Sequence, residues 1–184
     1  MILGGIDFSL NSSGICLYDT VKQTYTYLNL YRKYSKKTIT TLTSLNVQML
    51  LNTSVYDTKT EMNKLQNGLV TIEQIFQIVQ HCDHIGLEGL SFGSKGHRIA
   101  EISGYQYLLR AKLFQNNIPF EVFPPKTIKK FAGNGNFKKE DLFNVFLNTN
   151  NSLAQRIKDD KISLIKPLDD LIDAYYIVEK LKTL

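Results

Sequence analysis

The sequence has little sulfur chemistry to offer: two cysteines in 184 residues, Cys16 and Cys82, both in apolar, strand-like surroundings and without CxxC spacing. That excludes a thiolate cage for zinc and a disulfide framework, so the pair reads as small buried hydrophobes in a reducing compartment. Any metal would be held by oxygen. Long apolar runs are missing as well, since no stretch of about 18 apolar residues occurs. The opening Met-Ile-Leu-Gly-Gly-Ile is too short for a secretory h-region and lacks a basic flank. No membrane partner and a cytoplasmic location are therefore expected. Internal repeats, low-complexity tracts and linkers are absent too, so residues 1–184 are expected to form one domain.

What is present is an ordinary globular composition, 43% hydrophobic and 21% charged, which excludes a disordered or fibrous chain. The net charge of +5 favours an anionic partner, and the placement of the lysines matters more than their number.

Runs at 2–8, 13–19 and 24–31, separated by Asn-Ser-Ser-Gly and Thr-Val-Lys-Gln, predict a three-stranded antiparallel meander. Residues from Tyr34 to about Thr60 are polar and weakly periodic, and read as a long connection or irregular insert. From Leu69, helical spacing of Leu69, Ile72, Ile75, Phe76, Ile78 and Val79 leads to His81, then to a strand from Ile85 to Gly89. A helix from about His97 to Asn116, a strand at 119–123, a short helix opened by Pro124-Pro125 and stopped at Gly133, and helices near 138–149 and 167–182 complete the chain. The fold class is α/β.

Four acids interrupt stretches otherwise built for burial: Asp7 in Gly-Gly-Ile-Asp-Phe-Ser-Leu, Glu88 in Ile-Gly-Leu-Glu-Gly-Leu, and Asp170 and Asp173 in Leu-Asp-Asp-Leu-Ile-Asp-Ala-Tyr-Tyr. An ionised carboxylate taken into low dielectric costs several kcal/mol, so such positions imply a cation nearby. Alternation puts Asp7 on the opposite face from Ile6 and Phe8. If its strand neighbours that of Glu88, the two carboxylates approach each other, while Asp170 and Asp173 share one helix face. Hard divalent cations prefer such oxygens, and two of them can assist an in-line phosphodiester displacement. Taken singly, each acid has an ordinary explanation, as a strand-end surface charge or as a first-turn acid favoured by the helix dipole. The set of four favours a site.

Between Pro124 and Asp141, Lys126, Lys129, Lys130, Lys138 and Lys139 surround a Gly-Asn-Gly turn joining two helices. Ammonium groups and helix-start amides suit phosphate. A charge run is usually a solvated face, but with an acidic cluster elsewhere a polyphosphate backbone accounts for both features.

These blocks, Gly5-Ile-Asp-Phe-Ser-Leu-Asn-Ser-Ser-Gly-Ile, Leu87-Glu-Gly, the Pro-Lys-Thr-Ile-Lys-Lys-Phe-Ala-Gly-Asn-Gly-Asn-Phe-Lys-Lys segment and Asp170-Leu-Ile-Asp-Ala, resemble in order and spacing the RuvC-type Holliday junction resolvases, particularly their small phage and viral members. The resemblance covers most of the chain outside roughly 34–66. It implies a ribonuclease H-like fold, with a mixed five-stranded sheet of a three-stranded meander plus two parallel strands, flanked by helices. It further implies two Mg2+ ions, replaceable by Mn2+, on Asp7, Glu88, Asp170 and Asp173, and water attack leaving a 5′-phosphate and a 3′-hydroxyl without a covalent intermediate. Lys139 is similar to the family lysine that neutralises charge at the scissile phosphate, and Lys126 or Lys129 matches an earlier basic position. Asp169 competes with Asp170 as penultimate ligand, though only Asp170 keeps the i, i+3 spacing to Asp173. Phe92 lies near a junction-stacking aromatic of bacterial members, and a core or loop anchor explains it equally well.

The resemblance also implies a homodimer on branched DNA, acting in recombination, in the host cytoplasm if phage-encoded. Ala100, Gly104 and Ala111 on the helix from His97 would allow close helix approach, or packing on the protein's own sheet. A ribonuclease H-like enzyme on RNA–DNA hybrids or other branched DNA shares the acids. An actin-like ATPase would need a second phosphate loop, which is missing, so no nucleotide cofactor is expected. A non-catalytic DNA-binding relative would have lost acids that are all present here.

Overall fold

The protein is described by a computed structural model covering residues 1–54, 57–90 and 97–184. Three strands, β1 (Ile2–Asp7), β2 (Ser12–Asp19) and β3 (Thr24–Tyr31), form the antiparallel meander. After them come α1 (Lys36–Ser44) and β4 (Val47–Leu51), then α2 (Glu61–Val79), β5 (His84–Glu88), α3 (His97–Gln115) and β6 (Phe120–Phe123). Four helices close the chain: α4 (Pro125–Ala132), α5 (Lys139–Leu147), α6 (Ser152–Asp159) and α7 (Leu168–Leu181). The sheet has the order β4-β3-β2-β1-β5-β6, with β4, β5 and β6 each parallel to a neighbour.

The sheet is thus mixed, as expected, but has six strands rather than five. The extra strand lies in the segment read as an irregular connection, where Ser35 caps α1 by accepting from the Thr38 amide and β4 adds to the free edge of β3. Helix α6 is likewise additional, and α2 starts eight residues before Leu69, capped by Thr60 accepting from the Asn63 amide. Phe92 lies outside the described residues. No described helix is long and apolar enough to cross a membrane.

Strand alternation divides the core into two layers. Ile6, Phe8, Ile15, Leu28, Leu30, Ile85 and Leu87 point to one face, under Ile72, Ile75, Phe76 and Val79 of α2 and Leu109 and Leu113 of α3. Leu3, Cys16, Tyr27 and Phe123 point to the other, under α7 and the apolar sides of α5 and α6. Full burial of each such Leu or Ile is worth roughly 1.5–3 kcal/mol, so both faces are strongly specified. The consequence for function is one of direction. With Leu3 on the α7 face, period two sends Gly5 and Asp7 there as well, and with Leu87 on the opposite face Glu88 joins them.

Helix α7 can lie directly on the sheet because two strand positions have no side chain. A β-carbon on Gly5 would stand 2.2 Å from the Ala174 carbonyl oxygen, and one on Gly14 would stand 2.2 Å from that of Asp170. Only glycine permits that approach.

Candidate active site

Strands β1 and β5 run parallel with Ile6 opposite Leu87, so Asp7 and Glu88 follow side by side at the carboxyl ends of both strands. Side by side and both buried, the two carboxyl groups each favour the protonated form. Burial, then the charges of Glu88, Asp173 and Asp170, hold the Asp7 carboxyl well above the usual carboxylate range. Glu88 is also raised, first by burial. Asp7 is paired with Gly14 across the meander, and the helix over Gly14 brings Asp170 in from the other side.

On α7, Asp170 and Asp173 lie one turn apart. Burial, followed by the charges of Glu88 and Asp170, pushes Asp173 up to about 7. Asp170 is raised by burial and by Asp169, against the opposing pull of Lys166 and Ser12. Its Oδ2 accepts from Ser12 Oγ at 3.0 Å and its Oδ1 from Lys166 Nζ at 2.5 Å. Ser12 is fixed in turn, accepting from Asn29 Nδ2 at 3.2 Å and from the Tyr34 hydroxyl at 2.9 Å.

Asp169 behaves in the opposite way. Burial raises its pKa, but hydrogen bonds and charge from Lys139 and Lys166 outweigh burial and leave it below the ordinary value. It pairs with Lys139 and, at 3.0 Å, with Lys166. Burial works against the charge on Lys166, yet Asp170 and Asp169 raise its pKa overall. Adjacent acids therefore differ in their partners: Asp170 takes Ser12 and one lysine, and Asp169 takes two lysines.

Asp7, Glu88, Asp169, Asp170 and Asp173 line one cleft of about 320 Å³, with Lys129 and Lys139 at its walls. Lys139 is there because it is the first residue of α5, whose Leu142, Phe143 and Phe146 are buried against the α7 layer. Lys126, Lys130 and Lys138 are exposed on the same α4–α5 connection but do not line the cleft. A larger hollow of about 880 Å³ lies between α2 and α3, lined by residues such as Leu65, Tyr105 and Leu108. Its charged groups include Lys64 and Glu61, already paired at 2.6 Å, so we place the chemistry in the smaller, acidic cleft.

The donor set fits a hard divalent cation. It is all oxygen, and burial, with like charge added to it, raises four carboxyl pKa values at once. Among the described residues, no three acid, histidine or cysteine side chains are already set around one point as a ligand cage. The ammonium of Lys166, paired with Asp170 and Asp169, offsets part of the repulsion.

Sequence reasoning expected Asp7, Glu88, Asp170, Asp173, Lys129 and Lys139, and the fold brings these six into one cleft. It missed Lys166, Ser12, Asn29 and Tyr34. Lys166 was accessible in principle, because it precedes Asp170 by four residues and Asp169 by three, the spacings at which helical neighbours meet. Tyr34 sits in the polar segment whose pattern carried no signal.

A three-stranded meander continued by parallel strands, with helices on both faces, is the ribonuclease H-like fold, in the form seen in RuvC-type resolvases. Thermus thermophilus RuvC shares it over 97% of this chain and 91% of its own, with TM-score 0.56 and 13% identity. T. thermophilus RuvC in complex with Holliday junction substrate matches over 97% and 90%, with TM-score 0.56 and 12% identity. The fowlpox virus Holliday junction resolvase matches over 100% of both chains, with TM-score 0.51 and 14% identity. No protein-family model and no curated protein sequence matches the chain.

Proposed function

We propose that this protein is a Mg2+-dependent, structure-selective DNA endonuclease that resolves four-way junctions by paired symmetric nicks. The observation that carries the reading is the meeting of Asp7, Glu88, Asp170 and Asp173 in one cleft walled by Lys129 and Lys139. The fold shared with two resolvases, both described in complex with Holliday junction substrate, supports the choice of DNA junction over other phosphodiesters.

In this reading the four acids hold two Mg2+ ions, with Mn2+ as a substitute, and the bound metal supplies activation of water and neutralisation of the scissile phosphate. Asp7 and Glu88 form the floor at the strand ends, and Asp170 and Asp173 form the opposite wall. Ser12 orients Asp170 through its Oδ2, and Asn29 and Tyr34 fix Ser12. Lys139, with its side chain 56% exposed, places positive charge at the mouth, where a phosphate would enter. Lys126, Lys129, Lys130 and Lys138 suit the flanking phosphates, which give affinity and register without reading sequence. Two equivalent strands must be cut, so the protein acts as a homodimer.

The test is cleavage of labelled four-way junction, linear duplex and RNA–DNA hybrid, each with Mg2+ or with EDTA. Symmetric junction nicks that need metal are expected. Equal or exclusive cutting of the hybrid would move the assignment to a ribonuclease H-like enzyme, and cutting in EDTA would refute the metal role.

A further inference from the structure

Both carboxylate oxygens of Asp170 are already engaged by the protein, Oδ2 by Ser12 and Oδ1 by Lys166 at 2.5 Å. A cation at Oδ1 competes with the ammonium already there, because two cations sharing one oxygen repel strongly in a partly buried site. The Ser12 hydroxyl is neutral, buried and fixed by Asn29 and Tyr34, and nothing requires it to move. Lys166 differs on each count. Its side chain is 55% exposed, it carries a full charge, and it precedes α7 on a flexible stem.

Next to it stands Asp169, 7% exposed, with Oδ2 accepting from both Lys139 and Lys166 and with Oδ1 buried and unpartnered. A buried carboxylate oxygen without a donor is costly, and Lys166 Nζ is already 3.0 Å from the neighbouring oxygen of the same group. We propose that Lys166 is the resting occupant of the cation position beside Asp170, and that Asp169 receives its ammonium when a divalent ion takes that position. The inference rests on the reading of Asp170 as a metal ligand. It makes Asp169 a positioning residue rather than a ligand: it keeps Lys139 and Lys166 together at the mouth of the cleft.

The experiment is calorimetric titration of the full-length, DNA-free protein with Mn2+ and with Mg2+ at fixed pH and ionic strength. The variants are Lys166→Met, Asp169→Asn, the double variant, and Lys158→Met, an exposed lysine on α6 that controls for the loss of one positive charge. Lys166→Gln is carried in parallel so that a poorly folding methionine variant does not decide the result. Lys166→Met should bind about tenfold more tightly than Lys158→Met, the size of one partly exposed charge-assisted hydrogen bond. Asp169→Asn should bind several-fold more weakly than wild type, and the double variant should return to the Lys166→Met level. If Lys166→Met and Lys166→Gln bind no more tightly than the control, or if the double variant is as weak as Asp169→Asn alone, the exchange is wrong and Asp169 is a ligand. Failure of the metal reading itself looks different: no protein in the set, Lys166→Met included, shows saturable divalent binding, and the inference falls with it.

Discussion

Replacing Asp173 with asparagine should stabilise the metal-free protein at alkaline pH. The carboxyl of Asp173 is pushed up to about 7, chiefly by burial and then by Glu88 and Asp170, from the ordinary 3.8. An acid whose pKa is raised on folding binds its proton more tightly in the native state than in the unfolded one. Its folded form is therefore not penalised below about pH 4, where both states hold the proton. Stability is lost as pH rises from about 4 through about 7, and stays lost above that. A separation of roughly three units at about 1.4 kcal/mol each amounts to about 4 kcal/mol. Asparagine keeps the volume and cannot ionise, so the variant escapes that loss.

The assay is thermal unfolding in EDTA at pH 4, 6 and 8 and constant ionic strength. For a chain of this size each kcal/mol moves Tm by roughly 2–4 °C, so Asp173→Asn should unfold on the order of 10 °C above wild type at pH 8 and close to it at pH 4. Excess Mg2+ should narrow the gap from the wild-type side, since a ligand at a hundred times its Kd adds about 2.7 kcal/mol. A wild-type Tm that does not fall between pH 4 and pH 8 in EDTA, or a variant that tracks it at every pH, would refute the argument that these carboxylates are held together against their own repulsion.

Asp7→Asn should abolish junction cutting while leaving junction binding and its salt dependence within about twofold, as measured by gel shift beside the cleavage assay, because phosphate contacts carry nearly all the salt slope. Neutralising Lys126, Lys130 and Lys138 together should weaken junction binding and lower the slope of log K against log salt by up to about three, whereas Lys139→Ala should act mainly on the single-turnover rate. Gly14→Ala should destabilise by about 3 kcal/mol or more in chemical denaturation, since its β-carbon would lie 2.2 Å from the Asp170 carbonyl oxygen and α7 would have to lift. Sedimentation at micromolar concentration should give the mass of two chains, and a monomer that still makes paired cuts would contradict the two-site scheme.

The legible parts of the fold were those where one physical signal acted alone. Alternation around Ile6 and Phe8 put Asp7 on the right face, and Pro125 with Gly133 bracketed α4 to within a residue. Strand β4 was not legible because it is an edge strand, held by β3 on one side, and only Val47 of its five residues is buried. The first two turns of α2 carry exposed Met62 and Leu65, so they broke the apolar stripe that starts the helix by pattern, although the Thr60 cap was there to be seen. Helix α6 has eight residues and buries Leu153, Ala154 and Ile157, too few for its period to stand out from its neighbours.

The site shows a different limit. Spacing alone favoured Asp170 over Asp169, because only Asp170 keeps the i, i+3 spacing to Asp173, and in the structure both acids line the cleft. Sequence could not say what the other acid was for. Two consecutive residues on a helix point roughly 100° apart, so Asp169 and Asp170 face different partners from one peptide. Asp170 meets Ser12 across Gly14 and shares the cleft with Glu88 and Asp173, and its carboxyl is raised. Asp169 meets Lys139 from α5 and Lys166 from the segment before α7, and its carboxyl is lowered. Burial raises both carboxyls and is the largest influence on each; it is outweighed only at Asp169, where two lysines bond the same carboxylate. The Asp-Asp dipeptide thus sets one carboxyl beside the acid cluster, with Ser12 and one lysine as partners, and the other between two lysines, within one turn of helix.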